Sequence, residues 1–145
     1  MDVFLANEQE LAVDEARLAA LARYVLSVEQ VDGSAELSVL FVTADHIRQL
    51  NARFAGEDHA TDVLAFPMME EEDGALLLGD VVVCPSVAEK NAAQLGHALD
   101  AELEALVVHG TLHLLGYDHQ GAEDKAKMDQ RMGEVLRTFA TLSAR

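Results

Sequence analysis

Residues 76–96 read LLLGDVVVCPSVAEKNAAQLG, and their order decides how the rest of the chain is arranged. The triplet Val81, Val82 and Val83 is β-branched throughout and marks a central, buried strand. Pro85 follows at once, and Ser86 and Glu89 stand three apart behind it in the pattern of a capping box. The stretch therefore predicts a strand over 76–85 that hands directly to a helix running to about Leu95, with Gly96 ending it.

Outward from there, ELSVLFVT at 36–43 is apolar on both faces, which suits a second strand covered by helices. VLAFP at 63–67 predicts a third strand that Pro67 stops, and Val3 to Leu5 a short fourth. The run Glu70, Glu71, Glu72, Asp73 ahead of Gly74 then reads as a solvated loop. Leu18, Leu21, Ala22, Val25 and Leu26 recur at helical spacing within 14–29. Further helices are predicted over about Asp45 to Phe54, Leu99 to Leu115 and Glu123 to Leu142, the last with Met128, Met132, Val135, Leu136 and Phe139 on one side. The sum is a single layer of sheet covered by helices, α+β or α/β.

The chain has 145 residues, enough for one domain over 1–145 that buries about two-thirds of its unfolded surface. It is 50% hydrophobic and 25% charged, the balance of an ordinary globular protein. One cysteine, Cys84, excludes an intramolecular disulfide and reads as a small buried hydrophobe. No apolar stretch approaches the roughly 20 residues needed to cross a bilayer, and MDVFLANEQE does not resemble a signal peptide. The cytoplasm is the expected compartment. A net charge of −16 repels phosphate backbones and argues against nucleic-acid binding, although it does not exclude a local metal-centred cleft. No internal repeat or linker divides the chain.

The segment with the clearest chemistry is HGTLHLLGYDH, residues 109–119. His109 and His113 lie one turn apart, within about 40° of each other around the helix, so both imidazoles can reach one ion. Gly116 stands where a terminating left-handed residue is needed, and Tyr117 and Asp118 can bring the chain back so that His119 approaches the same point. Three nitrogen ligands would leave a fourth position open, as in catalytic zinc sites; imidazole also suits copper, iron and nickel, and zinc is the default. A lone histidine in an apolar helix is more often a hydrogen-bonded core residue. The offsets match those of the metzincin proteases, but the glutamate that serves them as general base is here Gly110, so a peptidase loses its key residue. Asp118 could orient an imidazole or accept a proton, or simply shape the turn after Gly116.

HGTLHLLGYDH, with LN at 50–51, TDVLAFP at 61–67, LGDVVVCP at 78–85 and GH at 96–97, resembles the bacterial YbeY family of zinc-dependent endoribonucleases and rRNA maturation factors. The resemblance implies one small α+β domain: a mixed four-stranded sheet with about five helices around it and a zincin-like metal helix. It implies one zinc ion on His109, His113 and His119, and single-strand-specific RNA cleavage in 16S rRNA 3′-end maturation and ribosome quality control. The implied partners are rRNA, the small ribosomal subunit and ribosome-assembly proteins, in the cytoplasm, with no membrane and no DNA. It also raises the prospect of cleft roles for His97, Thr61, Asp62 and Asp80, each of which reads equally as a linker, turn or strand residue.

One departure stands out. Family members typically read YRGKDxPTDVLSFP where residues 54–67 are FAGEDHATDVLAFP, placing Ala55 where an arginine is usual, Glu57 for lysine and Ala60 for proline. An arginine there could hold a phosphate bidentately, and alanine cannot. Arg53 is the candidate substitute, against its reading as a solvent-facing helix residue. Two alternatives follow: a non-catalytic ribosome-assembly factor with a structural zinc, and a metallohydrolase of another substrate.

Overall fold

The computed structural model describes residues 1–144. The elements run β1 (Asp2–Asn7), α1 (Glu15–Val28), β2 (Ala35–Phe41), α2 (Ala44–Ala55), β3 (Val63–Glu72), β4 (Ala75–Val83), α3 (Pro85–Leu95), α4 (Leu99–Leu114) and α5 (Ala122–Ser143). The strands form one mixed sheet in the order β1-β2-β4-β3. β1, β2 and β4 are parallel, and β3 pairs antiparallel with β4 along its outer edge. This is the mixed four-stranded sheet with five helices that the resemblance implies.

Strand alternation sorts the core into two faces. Leu37, Val39, Phe41, Val81 and Val83 meet α1 and α4 on one side. Leu40, Val82, Leu64 and Phe66 meet Ile47 of α2 on the other. Behind α4 a further layer joins Leu21 and Val25 of α1 to Met128, Val135 and Phe139 of α5. α4 is thus covered on most sides, which explains why its apolar residues show little helical segregation while α5 keeps one clear apolar face.

Local expectations for β3, α3 and β2 are corrected. Pro67 does not stop β3, and the acidic run is no loop: Glu70, Glu71 and Glu72 pair with Leu77, Leu76 and Ala75. The strand survives its proline because β3 is an edge, where an N–H facing away from the ladder is dispensable. Between Pro67 and Glu70 the register shifts at a bulge that contains Met69 at φ 51°. The connection is a tight turn in which Asp73 and Gly74 both have positive φ (51° and 82°), the twist-matched geometry that Asp-Gly favours.

The second correction concerns α3. Its N-cap is Cys84, which makes no side-chain cap bond, and Pro85 fills the first turn. Proline there loses nothing because its missing N–H would have been unpaired, so Ser86 lies inside the helix rather than capping it. The expected end at Gly96 holds, with φ 75°. β2 ends at Phe41, two residues early, because Thr43 caps α2 by accepting the His46 N–H at 3.2 Å.

Gly79 sits opposite Pro67 at φ 140°, and a Cβ there would collide with the carbonyl oxygen of Phe66. Gly79→Ala is expected to lower stability by about 2–4 kcal/mol in urea unfolding. Gly33→Ala, where a Cβ meets nothing within 4 Å, should stay within about 0.5 kcal/mol of the parent.

Candidate metal centre

α4 carries His109 and His113 on the face that looks toward β3. It reaches that position because Gly110 lets it come close to the sheet: a Cβ on Gly110 would lie 2.5 Å from Cγ1 of Val81. The missing protease base now has a structural reason, since a glutamate at this position would have to displace β4.

α4 then ends in a Schellman motif. The Gly116 N–H donates to the His113 carbonyl and the Tyr117 N–H to the Leu112 carbonyl, both at 3.1 Å, with Gly116 at φ 104°. Tyr117 packs against the α1–α4–α5 layer, and the neighbouring Glu29 carboxylate raises the pKa of its phenol. Glu29 in turn holds Arg131 of α5 at 2.7 Å, and Arg131 reaches Glu134 at 3.0 Å. The loop that returns His119 therefore packs beside the end of α1, far from it in sequence, where Glu29 and Arg131 tie α1 to α5, which spacing alone could not reveal.

The three histidines come together as expected. The ring centroid of His119 is 5.5 Å from that of His109 and 5.9 Å from that of His113. All three line a cavity of about 210 Å³ with Gly110 and residues Val63, Leu64 and Ala65 of β3. The tightest donor set is slightly different: His113, Asp118 and His119 offer ligand atoms within 4.8 Å of one another and could hold a metal ion. Asp118 Oδ1 already accepts the N–H groups of His119 at 2.7 Å and Gln120 at 3.2 Å, so it shapes the turn.

Two observations fit this group to a cation. Nδ1 of His113 is buried with no hydrogen-bond partner among the described residues, a deficit of about 1–3 kcal/mol that a bound ion would relieve. His109 is held below the usual imidazole pKa, first by burial and then by repulsion from His119 and His113, with Asp62 and Asp129 acting weakly the other way. A neutral imidazole is the ligating form.

The other candidates fall outside the cavity. Arg53 is exposed, and its guanidinium lies 5.2 Å over the Phe54 ring. Phe54 meets Phe66, which belongs to the opposite face of the sheet, so Arg53 is not brought to the histidines. Ala55 is the exposed last residue of α2. His97 binds Glu102 at 2.7 Å and ties down the start of α4. Asp62 accepts from Asn91 at 3.2 Å, and Thr61 bonds to Asp62 at 3.4 Å. Asp80 lies in β4 opposite Phe66, away from the cavity lining. Cys84 is fully buried, its Sγ 3.3 Å from Ser86 Oγ.

The family described as Endoribonuclease YbeY matches residues 4–140. The chain belongs to the YbeY family. It is 46% identical to the Endoribonuclease YbeY of Parafrankia sp. (strain EAN1pec), over 97% of this chain and 96% of that one. It is 43% identical to that of Thermobifida fusca, over 94% and 92% respectively. The solution structure of TM1509 from Thermotoga maritima is similar with a TM-score of 0.63 and 32% identity, covering 96% of this chain and 92% of that one. Membership in the YbeY family supports a nuclease hydrolase.

Gly110→Ala should destabilise the fold by about 1–3 kcal/mol despite its better helix propensity, and Val81→Ala in the same chain should recover part of that loss by removing the atoms it strikes. Thermal unfolding of the two variants checks this. In the metal-free protein, NMR titration should place His109 below 6.5. Because the unfolded chain then binds the extra proton, the contribution of His109 to stability is complete above about 6.5 and is lost as pH falls through the folded value. His119→Asn, which removes one repelling imidazole, should raise that midpoint.

Proposed function

We propose that this chain is a zinc-dependent, single-strand-specific endoribonuclease acting in 16S rRNA 3′-end maturation and ribosome quality control in the cytoplasm. rRNA, the small ribosomal subunit and ribosome-assembly proteins are its proposed partners, with His109, His113 and His119 as the ligands. The observation that carries the reading is the convergence of those three imidazoles on one cavity, with His113 Nδ1 left without a partner among the described residues. The name Endoribonuclease YbeY borne by the relatives gives the reaction class.

Zinc bound here would supply Lewis acidity toward a phosphoryl oxygen and a water acidified to a pKa of about 7. The chain's own residues do the rest. Burial keeps His109 neutral, so its lone pair is available. Asp118 fixes the turn that presents His119, which makes it a positioning residue in this reading. The β3 wall and Gly110 line the cavity beside the histidines. Gly110 provides no base.

A specific observation keeps the assembly-factor reading in play: among the described residues no arginine or lysine lines the cavity, and Ala55 replaces the family's arginine. Purified protein assayed for zinc and for cleavage of single-stranded RNA, beside His113→Ala, separates the two. The ribonuclease reading expects about one zinc per chain, loss of zinc in the variant, and a fall in kcat/KM larger than the 10–100-fold that outer-shell changes cost. Zinc bound tightly with no cleavage, together with retained binding to small subunits, would favour the assembly factor.

A further inference from the structure

The edge of the sheet is defended along one half and bare along the other. β3 is an outermost strand, and exposed backbone there invites unwanted pairing. From Pro67 outward it carries the usual protections: a proline, a bulge at Met68 and Met69, and three exposed carboxylates at Glu70, Glu71 and Glu72. From Val63 to Ala65 it carries none, and this is the part that walls the histidine cavity.

The register fixes which backbone groups are free there. Val63, Leu64 and Ala65 pair with Val83, Val82 and Val81. The Cys84 N–H donates to the Asp62 carbonyl at 2.9 Å, so Asp62 and Cys84 form a hydrogen-bonded pair. The Val83 carbonyl instead accepts from Val42 on the β2 side at 2.9 Å. Antiparallel pairs alternate, so Leu64 points its N–H and C=O into the ladder, and Val63 and Ala65 point theirs out to the edge. Pro67 is in the same phase, which is why its missing N–H does no harm.

We infer that the outward N–H and C=O groups of Val63 and Ala65 form a substrate subsite that hydrogen-bonds the unpaired bases of single-stranded RNA. This rests on the ribonuclease reading of the site and deepens it. A residue in this phase offers a donor and an acceptor side by side, which an exposed Watson–Crick edge can match, while in a duplex those edges are already used. Neutral backbone groups also suit a chain of net charge −16 whose cavity is lined, among the described residues, by no lysine or arginine, because base recognition there needs no basic patch. Selectivity for single strands then follows from the sheet edge.

The test is Ala65→Pro in the full chain, with Val63→Pro as second variant. Each deletes one outward N–H, and Pro67 shows that this phase of the strand accepts proline. Zinc content, thermal stability, cleavage of single-stranded RNA and binding of a single-stranded RNA oligonucleotide by the zinc-free protein are measured together. The expected result is unchanged zinc content, with kcat/KM and oligonucleotide affinity each down about tenfold. Cleavage and binding equal to the parent's would overturn the subsite, as expected if the edge docks a peptide instead. Collapse of both variants would overturn it as well, since it would place those N–H groups in the ladder. A parent that binds the oligonucleotide through this edge without cutting it would sink the ribonuclease reading and leave the subsite standing. A parent that neither binds nor cuts removes both.

Discussion

The close approach of α4 to β4 at Gly110 and Val81 sets the geometry on which the rest of the site depends. Helix and sheet normally stand apart by the thickness of their side chains, and a glycine removes one of those layers locally. α4 can then present His109 and His113 across the end of β4 to the β3 edge, where Val63 to Ala65 close the cavity. The same closeness forbids a glutamate after His109. The chain thus keeps the metal-binding spacing of a protease helix while giving up the protease base, for a reason of packing as much as chemistry.

The second constraint is the return of the chain after α4. A helix can place two histidines on one face unaided, but the third must come from a segment that turns back, and unbound loops are costly to order. Here the Schellman motif, the Asp118 turn, and the packing of Tyr117 beside the Glu29–Arg131 ion pair hold that segment. Such ordering in advance is what lets a few imidazoles bind tightly.

Much of this was legible in the sequence, and the parts that were not share a cause. β2, β4 and the five helices announce themselves through short-range periodicity, and the histidine spacing with Gly116 points to the cavity that the three imidazoles line. The Asp-Gly turn between β3 and β4 was also readable, but Pro67 and the acidic run masked it, because their acceptability depends on β3 being an edge. Edge status is a property of strand order, which no local pattern encodes. The same holds for Gly110, whose need appears only once Val81 lies beneath it, and for Arg53, which helical spacing could not assign to the side of the sheet away from the histidines. Ser86 and Glu89 had the form of a capping box, but Pro85 started the helix ahead of them.

The central claim is that the three histidines, rather than the His113–Asp118–His119 group with its shorter separations, hold the ion. X-ray absorption spectroscopy of the zinc-loaded protein tests it most directly. The account predicts three imidazole nitrogens at about 2.0–2.1 Å with one further oxygen, a pattern unchanged by Asp118→Asn and reduced to two imidazoles by His109→Ala. Two imidazoles and a carboxylate in the parent, with His109→Ala leaving the spectrum as it was, would contradict it.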